Sequence, residues 1–141
     1  MSTISGAGGI NANLAPDAFH RWAQHYYKCK QDFASPQRFS PVPYFLLCRA
    51  IELELKARHL NMMTQEEVKS AFGHDLMRAY DALPPPQKQL DSAEVLLLRH
   101  ASVIYCGKGV EYFDAENALT AYKRYPDLAA LDRVARSLVE P

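Results

Sequence analysis

The residues of this chain whose types could do chemistry fall into two groups. One is the dipeptide His74–Asp75 in "AFGHDLMRAYDALPPP" (71–86). The other is the charged set Arg49, Glu52, Glu54, Lys56 and Arg58 inside the otherwise apolar stretch 44–60. A histidine beside an aspartate suggests general acid–base work. Neighbours on a helix point about 100° apart, however, so adjacency alone brings no imidazole onto its own carboxylate. Asp75 is better placed to cap a helix and complement its dipole. His74 is then expected to reach across the molecule to a carboxylate of the 44–60 segment, on the edge formed by Glu52 and Lys56. Arg78, one turn beyond Asp75, completes a candidate binding set of Arg49, Glu52, Lys56, His74, Asp75 and Arg78. No catalytic residue is assigned.

Glu52 and Lys56 are four apart in the favourable order, and so are Glu54 and Arg58. On an exposed face such pairs contribute a few tenths of a kcal/mol. On a helix as apolar as this one, burial of one pair is expected to hold the register of the packing around it. The remaining candidates are weaker. His20, His25, His59 and His100 show no metal-ligand spacing, and no metal or cofactor is expected. No serine sits in a nucleophile-elbow setting. "GKG" at 107–109 lacks the rest of a phosphate loop and reads as a turn. "YYKCKQDF" and "AYKRYP" interleave basic residues with tyrosines, which can stack bases but serve equally in a core or a dimer.

These residues need helices to position them. Fluctuations between apolar and polar residues follow the helical period from Pro16 onward: Phe19, Trp22, Ala23, Tyr26 and Tyr27 recur at threes and fours, with Asp17 as a cap. Ser40 as N-cap and Pro41 at the first position begin a second helix that runs to about Leu60. Around its axis Leu46, Ala50, Leu53, Ala57 and Leu60 form one apolar arc. Tyr44, Leu47, Cys48, Ile51 and Leu55 form another, which marks a helix central to a bundle. Arg49, Glu52, Lys56 and His59 share one polar edge. "TQEE" (64–67) is a capping box for a short helix ending at Phe72, with Gly73 as a left-handed stop. A further helix starts near His74 or Asp75 and ends before the prolines at 84–86. Asp91 with Glu94 boxes the next, which stops at Gly107. A short helix is expected within 114–125, and a last one follows the Pro126–Asp127 start, with Leu128, Leu131, Val134, Ala135 and Leu138 inward.

The fold class is therefore all-α, an up-and-down bundle of five to seven helices, with 1–15 as an unstructured tail and 16–141 as one helical domain. Sixteen basic and sixteen acidic residues leave no global positive field for nucleic acid. No stretch approaches the ~18 apolar residues of a membrane span, and the N-terminus does not read as a signal peptide. Cys29, Cys48 and Cys106 have no pairing or ligand spacing and read as reduced core thiols of a cytoplasmic protein.

"FLLCRAIELELKARHL" and "GHDLMRAY" together resemble the HEPN-like helical proteins. Ala50, Glu52 and Lys56 match the family's A-x-E-x-x-x-K pattern, and Gly73, His74, Asp75 and Leu76 match its helix start. Arg124–Pro126 ("RYP") is also similar, so that the resemblance spans roughly 40–135. It implies an up-and-down bundle, often dimeric. Many members are RNA-directed toxins or defence nucleases that use an R-x(4–6)-H motif. No Arg and His of this chain have that separation: Arg21 and His25 are one residue too close, and Arg99 and His100 are adjacent. The resemblance thus implies a divergent, non-catalytic interaction or binding module, homodimeric, in some relatives partnered with a nucleotidyltransferase. The alternative is an RNA- or nucleotide-binding protein, or a divergent ribonuclease of a toxin–antitoxin or defence system.

Overall fold

The computed structural model describes residues 3–5, 11–107 and 124–140. Its fold is all-α: six helices among the described residues, α1 (Ala15–Asp32), α2 (Val42–His59), α3 (Gln65–Phe72), α4 (Leu76–Asp81), α5 (Ser92–Cys106) and α6 (Leu128–Val139). The helix expected within 114–125 and the "GKG" turn lie almost wholly outside the described residues. Within the segment expected to be an unstructured tail, Thr3–Ser5 pairs antiparallel with Asn11–Asn13, and helix begins at Ala15.

Helix α2 is the axis of the molecule. It packs against α1, α4, α5 and α6, and twelve of its eighteen residues are buried, including both Glu52 and Glu54. The expectation of one buried pair is exceeded here because two residues of separation turn about 200° around the axis. The two carboxylates therefore face opposite sides of a helix that is covered on both. Helices α1 and α2 run antiparallel: His20 of α1 pairs with Glu54, and the Arg49 guanidinium lies 5.9 Å from the centre of the Tyr26 ring. Leu47, Ile51, Leu55, Leu98, Leu131 and Leu138 are among the fully buried side chains at the centre.

The stop and start chemistry is visible in detail. Thr64 and Asp91 each form a complete capping box, with Glu67 and Glu94 respectively. Gly73 ends α3 at φ 52°, a left-handed conformation that favours glycine. Asp75 caps α4 through the Arg78 amide at 3.0 Å, and Asp127 caps α6 through Ala130 at 2.9 Å. Two expectations shift. Pro41 rather than Ser40 is the N-cap of α2, although the Ser40 hydroxyl accepts from the Val42 amide at 3.2 Å. Asp17 is no cap: Leu14 holds that position, and Asp17 sits in the first turn, paired with Arg21 at 3.2 Å. The cysteines also divide. Cys48 is a core thiol whose pKa burial and the nearby Glu52 charge push up to about 12, whereas Cys29 and Cys106 are exposed.

On the Glu54 side of α2, Arg58 ties three parts of the fold together. Its Nε donates to Glu54 at 3.2 Å. Nη1 donates to the Gln87 carbonyl at 3.2 Å and to the Gln89 side chain at 2.9 Å, and Nη2 to the Leu138 carbonyl at 2.9 Å. That last carbonyl is one of those the end of α6 leaves without a helical partner. Farther along, Asp132 of α6 accepts from Tyr27 at 2.7 Å and from Lys30, which fastens α6 to α1. Replacing Arg58 by Met should therefore cost about 3 kcal/mol, because it leaves the buried Glu54 carboxylate with His20 as its one remaining side-chain partner among the described residues and frees a helix end. Urea unfolding should show the midpoint falling with the slope unchanged; an unmoved midpoint would contradict this role.

Candidate functional site

The candidate site is a cleft of about 720 Å³ between α1, α2 and α3. It exists because α3 stands off from α2; its main helical neighbour is α4. Helix α2 and its C-cap residue Leu60 form the floor, with Arg49, Glu52, Leu53 and Lys56 along one side of the helix. From Arg49 to Leu60 there are eleven steps of about 1.5 Å, which make that floor about 16 Å long. Helix α1 supplies Phe19, Trp22, His25 and Tyr26. Helix α3 and the turn after it supply Val68, Lys69 and His74, with Gln65 and Glu66 at the rim. Because α1 is antiparallel to α2, Tyr26 and His25 stand at the Arg49 end, and Phe19 stands nearer Leu60. Arg49, His25 and Tyr26 thus share one end of the cleft, and Phe19 lies towards the other.

Glu52 is the chemical centre of the floor. It is only 2% exposed, yet it is ionised. Burial pushes its carboxyl up; hydrogen bonds from Lys56 and Tyr105 and the charges of Lys56 and Arg49 outweigh that and hold it below the usual glutamate range. The donors are Lys56 Nζ at 2.7 Å, Arg49 Nη1 at 3.1 Å, the Tyr105 hydroxyl at 2.5 Å and His74 Nδ1 at 3.1 Å. Tyr105 shows the counterpart: burial first, then the charge of Glu52, raises its phenol, so it stays a donor. For Arg49, burial favours losing the proton, but Glu52 and Tyr105 more than compensate, and the guanidinium is held charged.

His74 meets Glu52 as the spacing predicts, with its side chain 51% exposed at the cleft. An ionised carboxylate can only accept, so Nδ1 carries the proton there. The ring also stands edge-on to Tyr105, with centroids 6.0 Å apart. The structure thus brings together Arg49, Glu52, Lys56 and His74. It does not bring Asp75 or Arg78 to them. Asp75 spends its carboxylate on its own helix cap and on the Ser102 hydroxyl at 3.3 Å. Arg78 faces away, over a shallow depression shared with Asp75 and Asp81. His59, expected on the same polar edge, is buried instead; it stacks on Phe72 at 4.4 Å and donates to the Ala79 carbonyl at 2.7 Å.

Several members of the site were not singled out beforehand. Tyr105 ends an apolar run on α5, and nothing in its period announces a hydroxyl aimed at α2. Phe19, Trp22 and Tyr26 read as one stripe with Ala23 and Tyr27, but only the latter two are buried; Trp22 is 48% exposed and lines the cleft. A large exposed aromatic at a helical stripe's margin was the available signal. Among the described residues, no group of three or more His, Cys, Asp or Glu side chains is placed to hold a metal ion. The chain matches no protein-family model, no curated protein and no solved structure.

The network makes two predictions. Tyr105→Phe should destabilise the protein by about 1.5–3 kcal/mol, the worth of a hydrogen bond to a charged group. Glu52→Gln should cost about 3 kcal/mol at neutral pH, since it leaves Lys56 and Arg49 partly buried without their counter-charge. Glu52 binds its proton more weakly folded than unfolded, so its contribution is complete above the unfolded value near 4.5 and is lost as pH falls through the lower folded value. Chemical unfolding of both proteins across pH 3–7 should show the gap between wild type and Glu52→Gln closing on the acid side. A gap that is constant or widens with acid would refute the ionised assignment.

Proposed function

We propose that this chain is a non-catalytic helical binding module of HEPN-like type that works through the cleft between α1, α2 and α3. The observation that carries the reading is a cleft of small-molecule size, walled by Phe19 and Trp22, over a carboxylate already saturated by its own donors. A carboxylate held below its usual range and shielded by four donors is a poor proton acceptor, so Glu52 serves as a scaffold rather than a base. The resemblance in Ala50, Glu52, Lys56 and Gly73–Leu76 supports the same reading, since the nuclease motif is missing from the sequence.

Self-association into a homodimer is part of this proposal. Leu96 and Val103 are exposed and lie two turns apart on one face of α5. A nucleotidyltransferase-type partner is the family's implied alternative for that face. The exposed thiols of Cys29 and Cys106 are compatible with the cytoplasm. No helix among the described residues is long and apolar enough to cross a membrane.

A second reading is an RNA- or nucleotide-binding protein, or a divergent ribonuclease. The observation in its favour is that Arg49, Lys56, Lys69 and His74 all border the cleft. Retention of RNA that weakens steeply with salt would replace the first reading with this one.

The test uses Trp22, the chain's single tryptophan, as a resident probe. In a screen of a diverse fragment library by NMR, compounds that bind should shift the Trp22 indole N–H resonance. Trp22→Ala should weaken those compounds about tenfold, the loss expected on truncating an aromatic anchor. A library in which nothing moves that resonance, or in which Trp22→Ala leaves binding intact, would end the cleft reading. Sedimentation equilibrium should give twice the chain mass; a monomer at all concentrations would remove the homodimer.

A further inference from the structure

Resting on the cleft reading, the charge and shape of the site go further and name a ligand class. We infer that the cleft takes an aromatic monoanion of the arylacetate class, with its planar ring system against the α1 aromatics and its carboxylate at the Arg49–His74 end.

The charge follows from the floor. Glu52 is one negative charge facing two permanent positive ones, Arg49 at 3.1 Å and Lys56 at 2.7 Å. The floor is left with an excess of one positive charge. At the rim, Lys69 and Glu66 are both exposed and offset each other. The site as a whole carries one uncompensated cation, which suits a monoanion better than a dianion or a cation.

The donors are present as well. A guanidinium has five N–H groups, more than Glu52, Tyr26 and Tyr105 take from Arg49. Its side chain is about a third exposed. The neutral His74 ring spends its single N–H, on Nδ1, on Glu52, so the donors left for a ligand carboxylate are those of Arg49, with exposed His25 at the same end. A carboxylate placed there is recognised by the planar fork, a geometry Arg supplies and Lys does not.

The shape follows from the walls. Phe19 and Trp22 stand 5.6 Å apart, tilted by 39°, and Trp22 turns much of its indole to solvent. An exposed indole beside a phenyl ring is a stacking surface that remains unfilled within the fold. Leu53, Leu60 and Val68 back the floor and the opposite side but are nearly wholly buried, so the open apolar surface is that of the α1 aromatics.

The experiment compares four probes on the full chain, following the Trp22 indole N–H. They are 1-naphthylacetate, 1-naphthylmethylamine, 1-naphthylmethanol and adenosine monophosphate. The naphthylacetate should bind at least tenfold more tightly than the alcohol, and the amine more weakly still. Arg49→Met should reduce the acid-to-alcohol preference to about twofold or less, and Arg49→Lys should restore it only in part. If Arg49→Met fails to fold, Arg49→Lys alone decides, because full retention of the preference would exclude bidentate recognition. A preference for the amine or the alcohol would overturn the aryl-anion assignment and leave the cleft reading standing. Tighter binding of adenosine monophosphate would overturn it in favour of the nucleotide reading. If none of the four moves Trp22 while library fragments do, this inference alone fails; if nothing moves it, both fail.

Discussion

A charged carboxylate cannot be taken out of water unless donors replace the water, and Glu52 sets that requirement for the centre of this fold. The donors come from three places: Arg49 and Lys56 from α2 itself, His74 from the turn between α3 and α4, and Tyr105 from α5. Each has to arrive at about 3 Å or less. That demand fixes the register of α5 on α2 and the position at which the chain leaves α3, for which Gly73 supplies the backbone. An apolar residue of similar volume would ask for no such alignment. Net stability from a buried ionic centre is small once desolvation is counted; its consequence is positional.

Glu54 repeats the logic on the far side of α2. Here the donors are His20 of α1 and Arg58, and Arg58 carries the connection onward to Gln87, Gln89 and the end of α6. The two carboxylates are two residues apart in sequence and about 200° apart around the helix. One therefore aligns α2 with the cleft side and the other with the layer of α1, α6 and the 87–89 connection. A helix that is apolar on both flanks could rotate or slide within its packing at little cost. Two charged anchors on opposite sides remove that freedom.

Local signals carried much of this in the sequence. The capping boxes at Thr64 and Asp91, the glycine at 73, the aspartates at 75 and 127 and the triple proline mark helix ends through interactions within three or four residues, which a linear reading captures. The meeting of His74 with Glu52 was also legible, because a polar residue beside an apolar central helix must find a partner and Glu52 shares its edge with Lys56. What was not legible is long-range. Tyr105 lies 53 residues from Glu52, Lys30 and Tyr27 lie more than 100 from Asp132, and neither separation leaves a mark in a periodic pattern. His59 shows the opposite limit. Its helical angle places it on the polar edge, but α4 and Phe72 close over it, so tertiary cover overrides the pattern. Arg78 shows that sequence proximity to His74 is a poor guide when a helix begins between them.

On the proposed reading, the same arrangement suits the cleft to binding rather than to proton transfer at Glu52. Catalysis by a carboxylate needs a group that exchanges protons near the working pH. The Glu52 donors hold its charge in place across that range, so what it offers is a fixed field rather than a proton. Those donors are also immobilised before any ligand arrives. Arg49 is held by Glu52 and lies against Tyr26, and His74 is oriented through Nδ1. A ligand entering this cleft therefore meets polar groups whose ordering cost was met during folding, and only the exposed rim, Trp22 and Lys69 above all, remains to adjust. Preorganisation of this kind favours affinity for one charge type and one shape. The buried carboxylate that fixes the register of the helices thereby also fixes the sign of the site above it.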